Sequence, residues 1–126
     1  MQNLIKEILS KKVFAVVGSF RNEQKVAYKI FLDLKSRGYE VYPVNPKISQ
    51  VNGERCYPSV LDLPKKPDVV NIVTPPEVTL EILKQCKQLG IEYVWLQPGT
   101  ENQQVLDFCK QNDIKCVYQT CIMLNR

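Results

Sequence analysis

The apolar residues of this chain fall into five short runs, separated by longer stretches in which apolar positions recur at helical spacing. The runs predict strands at residues 13–17, 40–44, 69–73, 93–96 and 115–118. In the first run, Val13–Val17, apolar residues do not alternate with polar ones, which is typical of a strand covered on both faces. The pattern therefore favours a parallel sheet between layers of helices.

The stretches between the runs predict four helices. The first helix is predicted at residues 2–10. The second starts at the cap residue Asn22 and ends at Gly38, and the third starts at Thr74 and ends at Gly90. The fourth helix starts at Thr100. Between the second and third strands the residues predict an Asn52-Gly53 turn and a one-turn helix from Ser59 to Leu63.

Repeated helix-turn-strand units imply right-handed crossovers, because consecutive parallel strands are joined in that way. The sequence thus predicts an α/β fold of the Rossmann-like, doubly wound type. We expect one domain, residues 1–126, with a five-stranded parallel sheet in the order 3-2-1-4-5 and helices on both faces. In such a sheet, ligands bind beyond the carboxyl ends of the strands, near the point where the strand order reverses.

The residues at those strand ends, with one nearby cation, are the candidate binding residues. They are Gly18, Ser19, Phe20, Arg21, Lys25, Val44, Asn45, Pro46, Lys47, Thr74, Pro75, Pro76, Gln97, Pro98, Gly99 and Cys121. Gly18 would let the backbone approach a phosphate, and Arg21 and Lys25 carry charges that suit phosphate oxygens. The full G-x-G-x-x-G fingerprint is absent, so the alternative that Gly18 only forms a tight turn beside solvated cations stays open.

The end of the second strand departs from the pattern of NAD sites. Those sites place an acid there for the ribose hydroxyls, whereas this chain has Asn45-Pro46-Lys47, which suggests an additional phosphate. Other strand ends have two readings. The turn at Thr74 either caps a helix or contacts a ligand, and the Gln97 side chain either contacts a ligand or braces its own loop. The Cys121 thiol is either a reactive group or a packed side chain.

Composition excludes several function classes. The chain has no histidine, and its five cysteines form no C-x-x-C pair, so neither histidine-based acid–base catalysis nor a zinc site is predicted. No catalytic residue or metal ligand is assigned. A net charge of +4, with no basic arm, suits a small anionic ligand and argues against nucleic acid. The odd cysteine count and the lack of a signal peptide or membrane-length apolar run predict a cytoplasmic protein away from membranes.

Several segments together resemble a known family. The most specific is Gly38-Tyr39-Glu40-Val41-Tyr42-Pro43-Val44-Asn45-Pro46. Supporting segments are Val17-Gly18-Ser19, Gly53 with Tyr57-Pro58-Ser59, Asp68-Val69-Val70, Pro75-Pro76-Glu77, Val94-Trp95-Leu96-Gln97-Pro98-Gly99 and Cys121-Ile122-Met123. From Lys12 to Met123 the chain resembles the small CoA-binding proteins of bacteria and archaea, which are similar to the N-terminal CoA-binding domain of the succinyl-CoA synthetase alpha subunit.

This resemblance implies CoA or a short acyl-CoA as the ligand. It implies that residues 18–21 hold the diphosphate with help from Lys25, and that residues 44–47 lie against the adenosine phosphate end of CoA. The turns at 74–76 and 97–99 are then expected to line the rest of the nucleotide and the pantetheine arm. Ser19-Phe20-Arg21 departs from the family pattern, in which a proline is common in this loop. The phosphorylated histidine of the synthetase belongs to a domain absent from this sequence, so ligase activity is not implied.

The sequence therefore predicts non-catalytic binding of CoA or a short acyl-CoA, with Cys121 as a candidate contact for the thiol. One alternative is an NADP-dependent redox enzyme or sensor with Lys47 on the 2′-phosphate. Another is an accessory subunit that supplies a CoA site to a catalytic partner protein. A homodimer through the N-terminal helix is left open.

Overall fold

The apolar runs and helical stretches form the elements that their pattern predicts, and an unpredicted short hairpin is added after the second strand. The computed structural model describes residues 1–126. The strands are β1 Val13–Val17, β2 Glu40–Val44, β3 Gln50–Val51, β4 Glu54–Arg55, β5 Val69–Ile72, β6 Tyr93–Leu96 and β7 Lys115–Val117. The helices are α1 Gln2–Leu9, α2 Val26–Ser36, α3 Pro76–Leu89 and α4 Gln103–Gln111, with 3-10 turns at Val60–Asp62 and Ile122–Leu124.

The five long strands form a parallel sheet in the order β2-β1-β5-β6-β7, which confirms the α/β fold class. The predicted order 3-2-1-4-5 is wrong, because the third predicted strand, β5, pairs with β1 rather than with β2. Asp68 fixes this pairing: its backbone N–H donates to the Val13 carbonyl at 2.8 Å, and its carboxylate accepts from the Val13 N–H at 3.0 Å.

The outer edge of β2 is already occupied near its carboxyl end. Tyr57 donates its N–H to the Pro43 carbonyl at 3.0 Å and accepts from the Asn45 N–H at 2.9 Å. Pro43 has no N–H of its own, and proline within a sheet is typical of an edge strand. The strand order therefore reverses between β1 and β5, and the end of β2 flanks that point.

Two apolar clusters hold the helices on the sheet. On one face, α1, α2 and the C-terminal segment cover a cluster that includes Phe14, Phe31 and Trp95. On the other face, α3, α4 and the 3-10 turn at Val60–Asp62 cover a cluster that includes Leu83. No helix is both long and apolar enough to cross a membrane.

The predicted starts of α2, α3 and α4 lie before the true starts. Asn22 accepts a hydrogen bond from a backbone N–H two residues on. The hydroxyl of Thr74 bonds that of Thr79 at 2.8 Å, and the Thr100 hydroxyl donates to the Gln97 carbonyl at 2.7 Å. Asn22 and Thr100 thus stabilise the loops before α2 and α4, while Thr74 bonds to a side chain within α3; none of the three caps a helix N-terminus.

The predicted helix ends and the smaller turns are confirmed. Gly38 and Gly90 adopt φ values of 94° and 74°, which glycine reaches without strain. Ser59 caps the 3-10 turn by accepting from the Leu61 N–H at 3.1 Å. Asn52 and Gly53 form the turn of the β3–β4 hairpin.

Gly18, directly after β1, lies in close contact with α2 and with Val73, the residue that follows β5. A Cβ at this position would lie 2.8 Å from the Ala27 Cβ and 2.9 Å from the Val73 carbonyl oxygen. Real Cβ atoms do not approach other atoms so closely, so no side chain fits. The glycine that the sequence predicts for ligand approach is therefore also required by helix–strand packing.

We predict that Gly18→Ala lowers the free energy of unfolding by about 1–3 kcal/mol, because its methyl group overpacks this junction. Urea denaturation measures the change. Gly53→Asn is the control: nothing lies within 4 Å of a Cβ at Gly53, and asparagine tolerates the φ of 80° there. A Gly18→Ala protein as stable as the wild type would contradict the packing role.

Candidate functional site

A cavity of about 1030 Å³ opens at the carboxyl ends of β1, β2 and β5. Its walls are the loop after β1, the loop after β2, the segment before the Val60–Asp62 turn, and the first turns of α3. The lining residues are Val17, Gly18, Ser19, Phe20, Arg21, Val44, Asn45, Pro46, Lys47, Ile48, Gln50, Pro58, Ser59, Val60, Val73, Thr74, Pro75, Val78, Glu81, Ile82 and Gln85. This volume lies at the upper end of the range for small-molecule sites.

The cavity brings most of the sequence-predicted residues together. Those that line it are Gly18, Ser19, Phe20, Arg21, Val44, Asn45, Pro46, Lys47, Thr74 and Pro75. Those that do not line it are Lys25, Pro76, Gln97, Pro98, Gly99 and Cys121. The strand order explains why residues 97–99 and Cys121 lie outside, since β6 and β7 lie beyond β5 and their ends are removed from the switch point. Lys25 and Pro76 instead lie at the starts of α2 and α3.

Gln97 has a bracing contact in this structure. The side chain is 2% exposed, and its Oε1 accepts a hydrogen bond from the Ile122 N–H at 2.9 Å. The half-buried Cys121 lies in the segment that this bond fastens to the end of β6. Of the two readings of Gln97, bracing is therefore the one for which the structure provides a contact.

The sequence reasoning missed the wall formed by α3 and the segment before the Val60–Asp62 turn. Apolar side chains of Pro58, Val60, Val78 and Ile82 line this wall. Val78 is 44% exposed, and the cavity accounts for an apolar side chain left uncovered on α3. The available signal was the helical i, i+4 spacing of Val78 and Ile82 together with the Tyr57-Pro58-Ser59 motif.

The loop after β1 has unpaired backbone donors. The amide N–H groups of Ser19, Phe20 and Arg21 donate to no acceptor within the protein. The helices that follow β1 and β5 also begin without a side-chain cap, since Lys25 and Pro75 occupy their N-cap positions. Unpaired amides beside helix N-termini attract anions, because the amides donate hydrogen bonds and the helix dipoles are positive there.

Phe20 anchors this loop in the core. Its side chain is 5% exposed, and its ring lies 6.1 Å from the Phe31 ring and 6.4 Å from the Tyr28 ring, measured between centroids. The aromatic residue that departs from the family pattern thus holds the loop by apolar contact with α2.

Asn45 joins the two loops of the cavity. Its Nδ2 donates to the Gly18 carbonyl at 2.7 Å, and its Oδ1 accepts from the Lys47 N–H at 2.8 Å. Its own N–H donates to the Tyr57 carbonyl at 2.9 Å. Both polar atoms of the Asn45 side chain are therefore engaged in holding the two loops of the cavity together.

The charges at the mouth of the cavity favour an anion. Arg21 and Lys47 are exposed, and neither forms an ion pair. Glu81 is the acid in the lining, and its carboxylate pairs with Lys84 at 3.2 Å. The cavity lining therefore includes two cationic side chains without an ion-pair partner, Arg21 and Lys47, and one carboxylate whose charge is partly neutralised.

Cys56 lies behind the loop after β2. Cys56 is only 4% exposed, and this burial raises the pKa of its thiol. The Sγ atom lies 3.8 Å from the Asn45 carbonyl oxygen. The protonated thiol is therefore the favoured form, and its contacts are those of a small packed side chain.

Comparison with known proteins agrees with this architecture. Residues 12–126 match the CoA binding domain family. The chain belongs to this family of CoA-binding domain proteins. The resemblance predicted from the motifs is thereby confirmed.

The relatives of this CoA-binding domain include large enzymes and proteins of its own size. It is 33% identical over 123 residues to ADP-forming acetate–CoA ligase II of Archaeoglobus fulgidus, covering 88% of this chain and 18% of the ligase. It is 26% identical over 119 residues to the uncharacterized protein YneT of Bacillus subtilis, covering 94% of this chain and 88% of YneT. The chain thus spans about a fifth of the length of that ligase.

A solved structure has the same fold. The hypothetical protein from Pyrococcus horikoshii OT3 superimposes with a TM-score of 0.92 at 36% identity, covering 98% of this chain and 88% of that one. The shared α/β architecture therefore extends over nearly the whole of this chain.

We predict that Asn45→Ala lowers the free energy of unfolding by about 1–3 kcal/mol, because the Gly18 carbonyl and the Lys47 N–H both lose their partner. Asn45→Asp separates the two bonds: it keeps an acceptor for Lys47 and loses the donor to Gly18. Asn3→Ala, an exposed substitution in α1, is the control. Thermal melts without ligand measure the effect, and unchanged melting of Asn45→Ala would rule out the brace.

Proposed function

We propose that this domain binds CoA or a short acyl-CoA in the cavity at the switch point, without transforming it. The observation that carries the proposal is the set of three consecutive unpaired amides, Ser19 to Arg21, beside two uncommitted cations in a cavity of about 1030 Å³. CoA combines negatively charged phosphates with a flat aromatic base. The cavity offers the unpaired amides and the cations to the phosphates, and its apolar wall to the faces of the base.

The diphosphate lies at the loop after β1 in this proposal. Backbone amides and the N-terminus of α2 stabilise its charge, and Arg21 adds a cation. Lys47, at the end of β2, contacts the phosphate on the adenosine ribose. The rigid Asn45-Pro46 lead-in supports this role, because the Asn45 side chain fixes the Lys47 backbone at 2.8 Å.

The adenine lies against the apolar wall. Pro46 and Pro58 project from the two loops, and Val78 and Ile82 form the facing surface of α3. Burial of Val78, which is 44% exposed without a ligand, contributes apolar contact area to binding.

A catalytic partner is the second candidate role. The stretch related to this chain makes up 18% of the Archaeoglobus ligase, so the related region there is one part of a larger enzyme. A domain that holds CoA for chemistry performed by another chain would need no nucleophile or proton donor of its own. We further propose a reducing, cytoplasmic setting, which the five free cysteines support.

We predict that CoA raises the melting temperature by several degrees, because a ligand at a hundredfold excess over its Kd adds about 2.7 kcal/mol to stability. Differential scanning fluorimetry compares CoA, acetyl-CoA, NADP and NAD at equal concentration. A response to NADP without a response to CoA would reverse the assignment in favour of a redox role.

We predict that Lys47→Ala weakens CoA binding about tenfold, or ~1.4 kcal/mol, through loss of a charged phosphate contact. Dephospho-CoA, which lacks the ribose phosphate, binds both proteins equally. Isothermal titration measures the four affinities. Lys110→Ala in α4 is the control, since it removes the same charge from an exposed position outside the cavity. If Lys47→Ala weakened the binding of CoA and dephospho-CoA equally, Lys47 would contact a part of the cofactor other than the ribose phosphate.

A further inference from the structure

Two cysteines lie together on the side of the sheet that α3 and α4 cover. Cys109 belongs to the buried face of α4 and is 1% exposed. Cys116 lies in β7, in register with Val94 of β6, and Val94 belongs to the apolar cluster beneath α3 and α4. Cys109 is a member of that cluster, and Cys116 packs against it. Both side chains therefore face the same part of the core.

The connection between α4 and β7 brings these two side chains into contact. It consists of residues 112–114, and Asp113 adopts a left-handed φ of 56° at the turn. The Ile114 N–H donates to the Cys109 carbonyl at 2.9 Å, which fastens the start of β7 to the last turn of α4. The Cys109 thiol donates a hydrogen bond to the Cys116 sulfur.

The two thiols differ in access and in acidity. Cys116 is half-buried, and its strand β7 forms an edge of the sheet, whereas Cys109 is enclosed in the core. The hydrogen bond between them lowers the pKa of the Cys116 thiol and raises the pKa of the Cys109 thiol. Since the thiolate is the nucleophile in thiol–disulfide exchange, Cys116 is the member of the pair suited to attack a reagent from solvent.

The other three cysteines lack this combination of access and a neighbouring thiol. Cys86 is 0% exposed, and burial raises the pKa of its thiol to about 12. Cys56 is 4% exposed, and burial raises its pKa as well. Cys121 is half-buried, as Cys116 is, but lies outside the cluster beneath α3 and α4. Packing of a small apolar side chain accounts for Cys56 and Cys86.

We propose that Cys116 and Cys109 form a dithiol site that small disulfides oxidise to an intramolecular disulfide. The site is separate from the proposed CoA site, since neither residue lines the cavity. The Cys116 thiolate attacks one sulfur of the small disulfide, whose S–S bond breaks and releases one thiolate. Cys109 then loses its proton to solvent and attacks the Cys116 sulfur, which releases the second thiolate. The protein gives up two electrons, and the small disulfide is reduced to two thiols.

The test treats the folded, reduced protein with an excess of bis(2-hydroxyethyl) disulfide, quenches with acid, alkylates the remaining thiols after unfolding, and maps the peptides by mass spectrometry. We expect a mass lower by two hydrogen atoms, with Cys109 joined to Cys116. Cys56 and Cys86 are expected to be recovered as alkylated thiols. A protein that stays fully reduced, a disulfide from any other pair, or a lasting adduct on Cys116 with Cys109 free would overturn the inference.

Single substitutions separate the attacking thiol from the resolving thiol. Cys109→Ser is expected to retain half of the reagent as a mixed disulfide on Cys116, and Cys116→Ser is expected to leave Cys109 reduced. Cys121→Ser is the matched control and is expected to form the disulfide as the wild type does. An adduct on Cys109 in Cys116→Ser would contradict the order of attack. The wild-type peptide map decides the case where a variant does not fold, and equal modification of Cys86 and Cys116 there would indicate reaction through unfolding and overturn the inference.

Discussion

The close approach of three elements at Gly18 is the constraint on which the rest of the structure depends. Where β1 ends, a Cβ atom would lie 2.8 Å from the Ala27 Cβ of α2 and 2.9 Å from the carbonyl oxygen of Val73, which follows β5. Because that space is closed to side chains, α2 packs directly against the end of β1 at this point. The cavity lies next to this contact, at the carboxyl ends of β1, β2 and β5.

The same junction determines the chemistry of the loop that follows. Phe20 is held in the core, and Asn45 fixes the Gly18 carbonyl, so the backbone between them is constrained while its N–H groups remain without partners. A protein that leaves consecutive amides unpaired beside helix N-termini gains binding energy when an anion arrives, since little ordering remains to be done. This arrangement suits a phosphate ligand better than it suits a nucleophile or a proton shuttle.

Much of the fold was predictable from the sequence, and the part that was not had a physical cause. Apolar runs and glycine helix ends, such as Gly38 and Gly90, follow from local conformational preferences, and they were predicted correctly. Strand order depends on long-range pairing, which local patterns do not report, and so β5 was misplaced. Pro43 carried the missing information, since a proline within a strand is typical of the edge of a sheet.

The misplaced strand also explains why the predicted residues 97–99 and Cys121 lie outside the cavity. Residues at the ends of β1, β2 and β5 meet in the cavity because those strands are neighbours, whereas Gln97 and Cys121 follow strands further away. The wall formed by Val78 and Ile82 was missed because apolar residues on a helix look the same whether they face a core or a cavity.

The central claim is that the backbone amides of Ser19, Phe20 and Arg21 hold the diphosphate of CoA. A crystal structure of the protein grown with saturating CoA tests it most directly. The account predicts phosphate oxygens within hydrogen-bonding distance of those amides, with the adenosine end beside Lys47. CoA bound elsewhere, with the loop after β1 empty, would contradict it.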